Sequence, residues 1–402
     1  MLELEDALTR ILAGLPKPTT ERLSLNAAYR RFAAEAVIAP IDLPSFDNSS
    51  MDGYAVRAED VALAGAENPV RLRVIGRVAA GENFSGEITS GECVRIFTGS
   101  PLPRGADAIV MQEDTRLNSD RADEVEILDA VKPWENVRFH GEDVKRGTPL
   151  LQAGQRLTVG RIALLAAMGF REIQVTRQPR VALIATGSEL KEGGQPLEAG
   201  QIYESNRATL APLIESAGGT LKIFPIVPDH PETTRHALEQ AFAECDCVIT
   251  CGGVSVGEMD FVKSAFEALG GKLDFWKVAI KPGKPFVLGE LGSKRLFGLP
   301  GNPVSAFVTF LLLARPAILR WQGALETGLE KHPGTLAEPL NNSGDRRHFV
   351  RVRCDASGRI FSAGIQASHA LSSLANANGL VDLPPHSHLP AGATTTVLRW
   401  ED

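Results

Sequence analysis

Between about residues 178 and 322, short apolar runs alternate with helical stretches, and most runs stop at glycine or proline. This alternation limits the fold more than any other feature of the chain. Residues 180–186 form an apolar run ended by Gly187, as a buried strand would be. A helix is expected over 206–217, with Leu210, Leu213, Ile214 and Ala217 at i, i+3, i+4 and i+7, and Gly218-Gly219 stops it. Residues 221–227 read as the next strand, and Pro231 opens a helix that buries Ala237, Leu238, Ala241 and Phe242. The pattern continues with a strand at 246–250, a helix at 260–269, strands at 273–280 and 295–298, and a long apolar helix at 302–321. Strands alternating with helices of about 10–15 residues predict βαβ units and a mainly parallel sheet, doubly wound and covered on both faces.

The rest of the chain follows other rules. Residues 45–139 are rich in short β-like runs separated by Gly, Pro and acidic turns, which predicts a mostly β inserted domain. On either side lie 1–44 and 140–177, with an amphipathic helix in the first and an apolar helix in the second. Leu4, Ala7, Leu8, Ile11 and Leu12 share one face of the first, and the second spans 159–168. These flanks are expected to pack as one helical linker domain. Residues 327–402 read as a small C-terminal β domain. The fold class is therefore multidomain α/β plus β, with the α/β domain at 178–326.

Composition removes several functions. Lys+Arg 42 against Asp+Glu 49 leaves a net charge of −7, and aromatic residues are 6% of the 402-residue chain, so neither a basic face nor stacking platforms point to nucleic acid. The longest apolar stretch, 307–314, is stopped by Arg315 and Pro316, well short of a span of roughly 18–20 residues. The N-terminus is acidic and lacks the basic start of an export signal, so a cytoplasmic location is expected. Five cysteines suit a reducing compartment. Cys245, Cys247 and Cys251 read as small hydrophobes of a buried strand, with no partner pair at zinc spacing. His386 and His388 fall in a Pro-rich loop.

In open α/β sheets, ligands collect at the carboxyl ends of the strands. Those ends carry Thr186-Gly-Ser-Glu189, Pro228-Asp229, the stretch from Gly252 and Gly253 through Ser255 and Gly257 to Asp260, Lys281-Pro-Gly-Lys284, and Pro300-Gly301-Asn302-Pro303 with Ser305. Glycines let backbone N–H groups approach an anion closely. Lys281 and Lys284 supply positive charge, and Glu189, Asp229 and Asp260 are hard oxygen ligands suited to Mg²⁺ beside a phosphate. Each piece has a plainer reading: Gly252-Gly253 as a turn, the lysines as solvated, Glu189 as a helix cap. Neither a Walker A nor a GxGxxG pattern is present. Five polar loops on one rim favour a small anionic, phosphate-bearing ligand with Mg²⁺.

Six segments carry a resemblance. Phe46-Asp-Asn-Ser-Ser-Met-Asp-Gly-Tyr-Ala-Val-Arg57, Arg95-Ile-Phe-Thr-Gly99, Thr186-Gly-Ser-Glu-Leu190, Gly252-Gly-Val-Ser-Val-Gly-Glu258, Lys281-Pro-Gly-Lys-Pro285 and Leu299-Pro-Gly-Asn-Pro303 occur in this order. Together they resemble the signature of the molybdopterin molybdenumtransferase family (MoeA and the E domain of gephyrin). The resemblance implies a four-domain homodimer with its active site between subunits, whose α/β domain has the molybdopterin-binding fold. It implies adenylylated molybdopterin and molybdate as substrates, with Mg²⁺ assisting release of AMP. Transient contact with the adenylyltransferase and with acceptor molybdoenzymes follows from the same likeness. It assigns Glu189, Asp229 and Asp260 to Mg²⁺ and the pyrophosphate, and Lys281 and Lys284 to oxyanion oxygens. Ser305 and the 300–303 loop would line the oxyanion pocket, with Gly252, Gly253, Ser255 and Gly257 also binding substrate. Arg346 is a candidate molybdate contact. Asp52 and Thr98, from the β insert, match positions needed for activity, and Asp143 matches a family motif. Ser188 stands where many relatives have Asp, and residues 366–369 depart from a more Gly-Ser-like stretch. Three other readings compete: a single-domain adenylyltransferase-like enzyme, a non-catalytic scaffold and a nicotinamide-nucleotide hydrolase. The first and last leave the insert unexplained, and the scaffold would normally add a partner-binding domain or long linker.

Overall fold

The computed structural model describes residues 1–117, 121, 123–253, 261–274 and 277–400. The chain divides into two compact units. One comprises Met1–Glu35, Ala153–Thr158 and Glu172–Asp402; the other comprises Ala36–Gln152 and Val159–Arg171.

The first unit contains the α/β sheet, in the order Thr220–Ile223, Arg180–Ala185, Cys247–Cys251, Lys294–Leu299, Val287–Leu291, Lys272–Leu273. The first four strands are parallel, and Val287–Leu291 runs antiparallel to both its neighbours. Alternate residues serve opposite faces, as a pleated strand requires. Val181, Leu183, Ile249 and Phe297 enter one core with the helices Leu4–Ala13, Asn206–Ser216 and Pro303–Trp321. Ala182, Ile184, Val248 and Leu296 enter another with Pro231–Glu244 and Phe261–Ala268. Cys247 and Cys251 are buried core residues.

Two sequence expectations change here. The single strand expected at 273–280 is divided: Lys272–Leu273 edges the α/β sheet, and Ile280–Lys281 pairs instead with Arg347–Cys354. A strand the periodicity passed over, Val287–Leu291, forms a hairpin with Lys294–Leu299, where Leu291 faces Lys294 across Gly292-Ser293. Gly292, at φ 59°, supplies the left-handed conformation that so tight a turn needs.

Pro303–Trp321 is apolar and long enough to cross a membrane by length and composition, but most of it is buried within the protein as a core helix. Pro316 does not end it. A proline lacks the N–H for the i−4 carbonyl and crowds it, and a π turn over Phe310–Ala314 absorbs the mismatch one turn earlier.

The C-terminal strands form a second six-stranded sheet. Arg347–Cys354 pairs with both Arg359–Ser362 and Gly379–Leu383, while Glu330–Leu336 and Thr394–Arg399 complete the circuit, so five strands close on themselves. Val350, Val352, Val381, Leu383 and Val397 fill the interior.

In the second unit, a six-stranded sheet runs Ala108–Met111, Gly53–Val56, Glu92–Ile96, Val70–Val78, Glu124–Ile127, Thr115–Leu117. Gly53 is needed for its size, because a Cβ there would stand 1.9 Å from the carbonyl oxygen of Val110. The helices flanking the insert do not form one domain. Leu4–Ala13 contributes Leu4, Ala7 and Ile11 to the core of the first unit, whereas Val159–Ala167 belongs to the second. An amphipathic stripe specifies that a helix must be covered, not by what.

Candidate active site

A cavity of about 470 Å³ lies in the first unit, lined by Lys281, Pro282, Gly283, Lys284, Pro285, Asn302, Ser305, Arg346, Gln366, Ala367 and Ser368. Three of these side chains are cations and none is a carboxylate. Asn302 precedes the long helix and Pro303 opens it, so the positive end of the helix dipole lies at this side of the cavity. Ser305 is buried in that turn. Gly283, at φ 107°, lies against Thr309: a Cβ would be 2.5 Å from Thr309 Cγ2. Arg346 donates through Nη1 to the Ile280 carbonyl at 2.8 Å, and Asn302 Nδ2 donates to Ser368 Oγ at 3.2 Å.

The lysine loop arrives differently from the sequence expectation. Lys281 does not end a strand of the α/β sheet but sits in the C-terminal sheet, opposite His348. His348 is 5% exposed, and neither ring nitrogen has a hydrogen-bond partner. Burial, reinforced by the positive charges of Lys281, Arg351 and Arg346, pushes its pKa down to about 4.

A second cluster stands at the carboxyl ends of the α/β strands. Thr186 bridges in parallel to Val227, which brings the 186–189 and 228–229 loops together. Ser188 N–H donates to Asp229 Oδ2 at 3.0 Å, and Asp229 N–H donates to Ser188 Oγ at 2.9 Å. Glu189 is exposed beside them, and its carbonyl accepts from Ile202 N–H at 2.9 Å. Gly252 and Gly253 have φ of 89° and 67°, and side chains there would collide with Thr186 and Val262. Asn206 Nδ2 holds the Gly301 carbonyl at 2.8 Å. Thr186 Oγ1 and Asn206 Oδ1 are buried without partners. Ser255, Gly257 and Asp260 lie outside the described residues.

In the second unit, Asp52 Oδ1 accepts from the Thr98 backbone N–H at 2.7 Å and from Thr98 Oγ1 at 2.8 Å. These two bonds hold the Asp52 carboxyl below the usual aspartate range. Asp143 is exposed on a loop, where its backbone N–H donates to the Leu43 carbonyl.

Comparison with known proteins accounts for almost the whole chain. Residues 2–169 match the MoeA N-terminal region (domain I and II), 182–320 a probable molybdopterin binding domain, and 333–400 the MoeA C-terminal region (domain IV). The molybdopterin molybdenumtransferase of Haemophilus influenzae is 40% identical over 99% of this chain and 98% of its own length. That of Nostoc sp. is 38% identical over 94% of this chain and 88% of its own. The chain belongs to the molybdopterin molybdenumtransferase (MoeA) family. The crystal structure of the MoeA protein of Pyrococcus horikoshii OT3, 32% identical, superposes with a TM-score of 0.84 over 99% of this chain and 100% of that one. The multidomain α/β-plus-β class is thus the MoeA fold.

Within this MoeA-family chain, the cavity draws on two matched regions. Lys281, Lys284, Asn302 and Ser305 come from the molybdopterin-binding region, and Arg346 with residues 366–368 from the C-terminal one. The structure brings together five side chains proposed from sequence: Lys281, Lys284, Asn302, Ser305 and Arg346. Pro300, Gly301 and Pro303 frame them as the turn between the last α/β strand and the long helix. Sequence reasoning missed Gln366, Ala367, Ser368 and His348. The polar run 366–369 was visible, but nothing local ties it to a lysine loop far away in the chain.

Proposed function

We propose that this chain inserts molybdate into adenylylated molybdopterin and releases AMP, giving molybdenum cofactor, as the detailed form of the transferase activity for which its relatives are named. The observation that carries this reading is the cavity lined by Lys281, Lys284 and Arg346 without a carboxylate, at a helix N-terminus. Such a site suits a tetrahedral oxyanion dianion, because charge-assisted donors converge on it from several sides. Asn302 and Ser305 add neutral hydrogen bonds that orient the oxygens.

Glu189 and Asp229 lie on adjoining loops, and Asp229 keeps Oδ1 without a partner among the described residues while Oδ2 is fixed by Ser188. That donor set fits Mg²⁺, which takes one or two carboxylates together with substrate phosphates. Asp260 would join them in the proposal. When bound, the cation polarises a phosphoryl oxygen of the anhydride. Gly252 and Gly253 leave the rim open to close approach by the pyrophosphate, with Thr186 Oγ1 and Asn206 Oδ1 as unspent hydrogen-bonding capacity beside it. Asp52, held ionised by Thr98, is assigned an essential role in the same reaction. The proposal includes a cytoplasmic homodimer with the active site between subunits, and transient contact with the adenylyltransferase and acceptor molybdoenzymes.

The test is to incubate the purified protein with adenylylated molybdopterin and Mg²⁺, with and without molybdate, and to measure AMP and pterin-bound molybdenum. Molybdate-dependent AMP release with metal incorporation is the expected result. Neither product, from folded protein that still binds the pterin, would overturn the proposal in favour of a binding or scaffolding role.

A further inference from the structure

Behind the cavity wall lies a cation that no acid neutralises. Arg351, on the strand Arg347–Cys354, is 0% exposed, and no ion pair reaches it among the described residues. Its Nε donates to Ser373 Oγ at 2.9 Å, and its Nη2 donates to the carbonyls of Ile365 at 2.8 Å and Ala367 at 3.1 Å. Nη1 is buried and has no partner. A second pair of bonds reinforces the first. Arg351 N–H donates to Gln366 Oε1 at 2.9 Å, and Gln366 Nε2 donates to the Arg351 carbonyl at 3.0 Å.

This segment continues directly into the cavity. Gln366, Ala367 and Ser368 form part of its lining, and the far end is tied to the long helix, where Val304 N–H donates to the Ser368 carbonyl at 3.1 Å. The wall is therefore strung between the Arg351 guanidinium and the helix N-terminus. A buried guanidinium normally has a carboxylate partner, because an uncompensated charge in the interior is costly. Here the lining side chains nearby, Lys281, Lys284 and Arg346, add more positive charge instead. Burial alone pulls the Arg351 pKa down to about 10, the direction expected of a cation without a counter-charge.

We propose that Arg351 is a positioning residue of the oxyanion cavity: with Nε on Ser373 Oγ and Nη2 on the Ile365 and Ala367 carbonyls, its planar fork fixes the Gln366–Ser368 wall, and the bound oxyanion, rather than any protein acid, compensates its charge. This rests on the reading of the cavity as the molybdate site. It explains why so buried an arginine is left with an unused donor, and why the segment it holds faces three other cations.

The two claims separate experimentally. Molybdate, and sulfate as an inert tetrahedral dianion, are titrated into the full-length protein and the rise in melting temperature recorded. If wild type shows no rise with either anion, the cavity reading itself fails. With wild type responding, Arg351→Lys and Arg351→Met are compared by melting temperature and by KM for molybdate and for adenylylated molybdopterin. Arg351→Met is expected to raise KM for molybdate by about tenfold, through the lost compensation of charge and the loosened wall, with KM for the pterin unchanged and the anion-induced stabilisation lost. Arg351→Lys keeps the charge but not the fork, and should fall between the two. If Arg351→Met does not fold, the KM split in Arg351→Lys decides. Variants that lose melting temperature but keep both wild-type KM values would overturn the proposal and leave Arg351 a purely structural residue.

Discussion

Lowering the pH should destabilise this protein through one buried side chain. His348 lies on the inner face of the closed C-terminal sheet, between Lys281 and Leu383 in register, and its ring makes no hydrogen bond. Burial comes first among the causes that lower its pKa to about 4 from the ordinary 6.5, followed by Lys281, Arg351 and Arg346. Leu383, its neighbour on the other side, brings no charge, and Asp382 is engaged with Arg347. Because the native pKa lies below the unfolded one, the unfolded chain binds more protons between these two values. Protonation therefore costs nothing at neutral pH, and stability is lost as pH falls through 6.5 toward 4. At about pH 5 the unfolded imidazole is nearly all protonated and the native one about a tenth, which corresponds to about 2 kcal/mol lost relative to neutral pH. At 5% exposure, solvent screening does not reduce this appreciably. The assay is urea unfolding of wild type and His348→Leu at about pH 7.5 and about pH 5. The variant should be at least as stable as wild type at the higher pH, since it removes two unpaired polar atoms. It should lose about 2 kcal/mol less between the two conditions. The same acid-induced loss in both proteins would refute the reasoning.

Two further outcomes follow from the geometry. Gly283→Ala places a methyl 2.5 Å from Thr309 Cγ2 at a φ of 107°, so it should cost about 1–3 kcal/mol and weaken oxyanion binding, with an unchanged melting temperature as the contrary result. Thr98→Val removes one of two donors to Asp52 Oδ1, so the Asp52 carboxyl should titrate closer to an ordinary aspartate; NMR titration of the side chain checks this, and an unmoved midpoint would contradict it.

The α/β domain was readable because its central strands are apolar on both faces and helices such as Asn206–Ser216 and Pro231–Glu244 carry a buried stripe. Val181 and Leu183 serve one core, Ala182 and Ile184 the other, and that local pattern does not depend on distant contacts. Reading failed where pairing partners were remote. Ile280–Lys281 is as apolar as a central strand on its N-terminal side, but it joins the C-terminal sheet at Arg347 and His348, a choice made by tertiary register. The hairpin at Gly292-Ser293 was a short-range signal that the βαβ rhythm obscured.

Periodicity and turn residues along the chain specify the doubly wound sheet, the β insert and the glycine- and lysine-marked loops, and six ordered motifs specify the family. Local chemistry suffices for these, since periodicity and turn residues act over a few positions. Tertiary structure alone decided that the lysine loop meets Arg346 and the 366–368 segment around one cavity, that Arg351 stands unpaired behind its wall, and that His348 is buried beside Lys281. A charge's partners and its access to water are set by whatever folds against it, and no spacing along the chain encodes that.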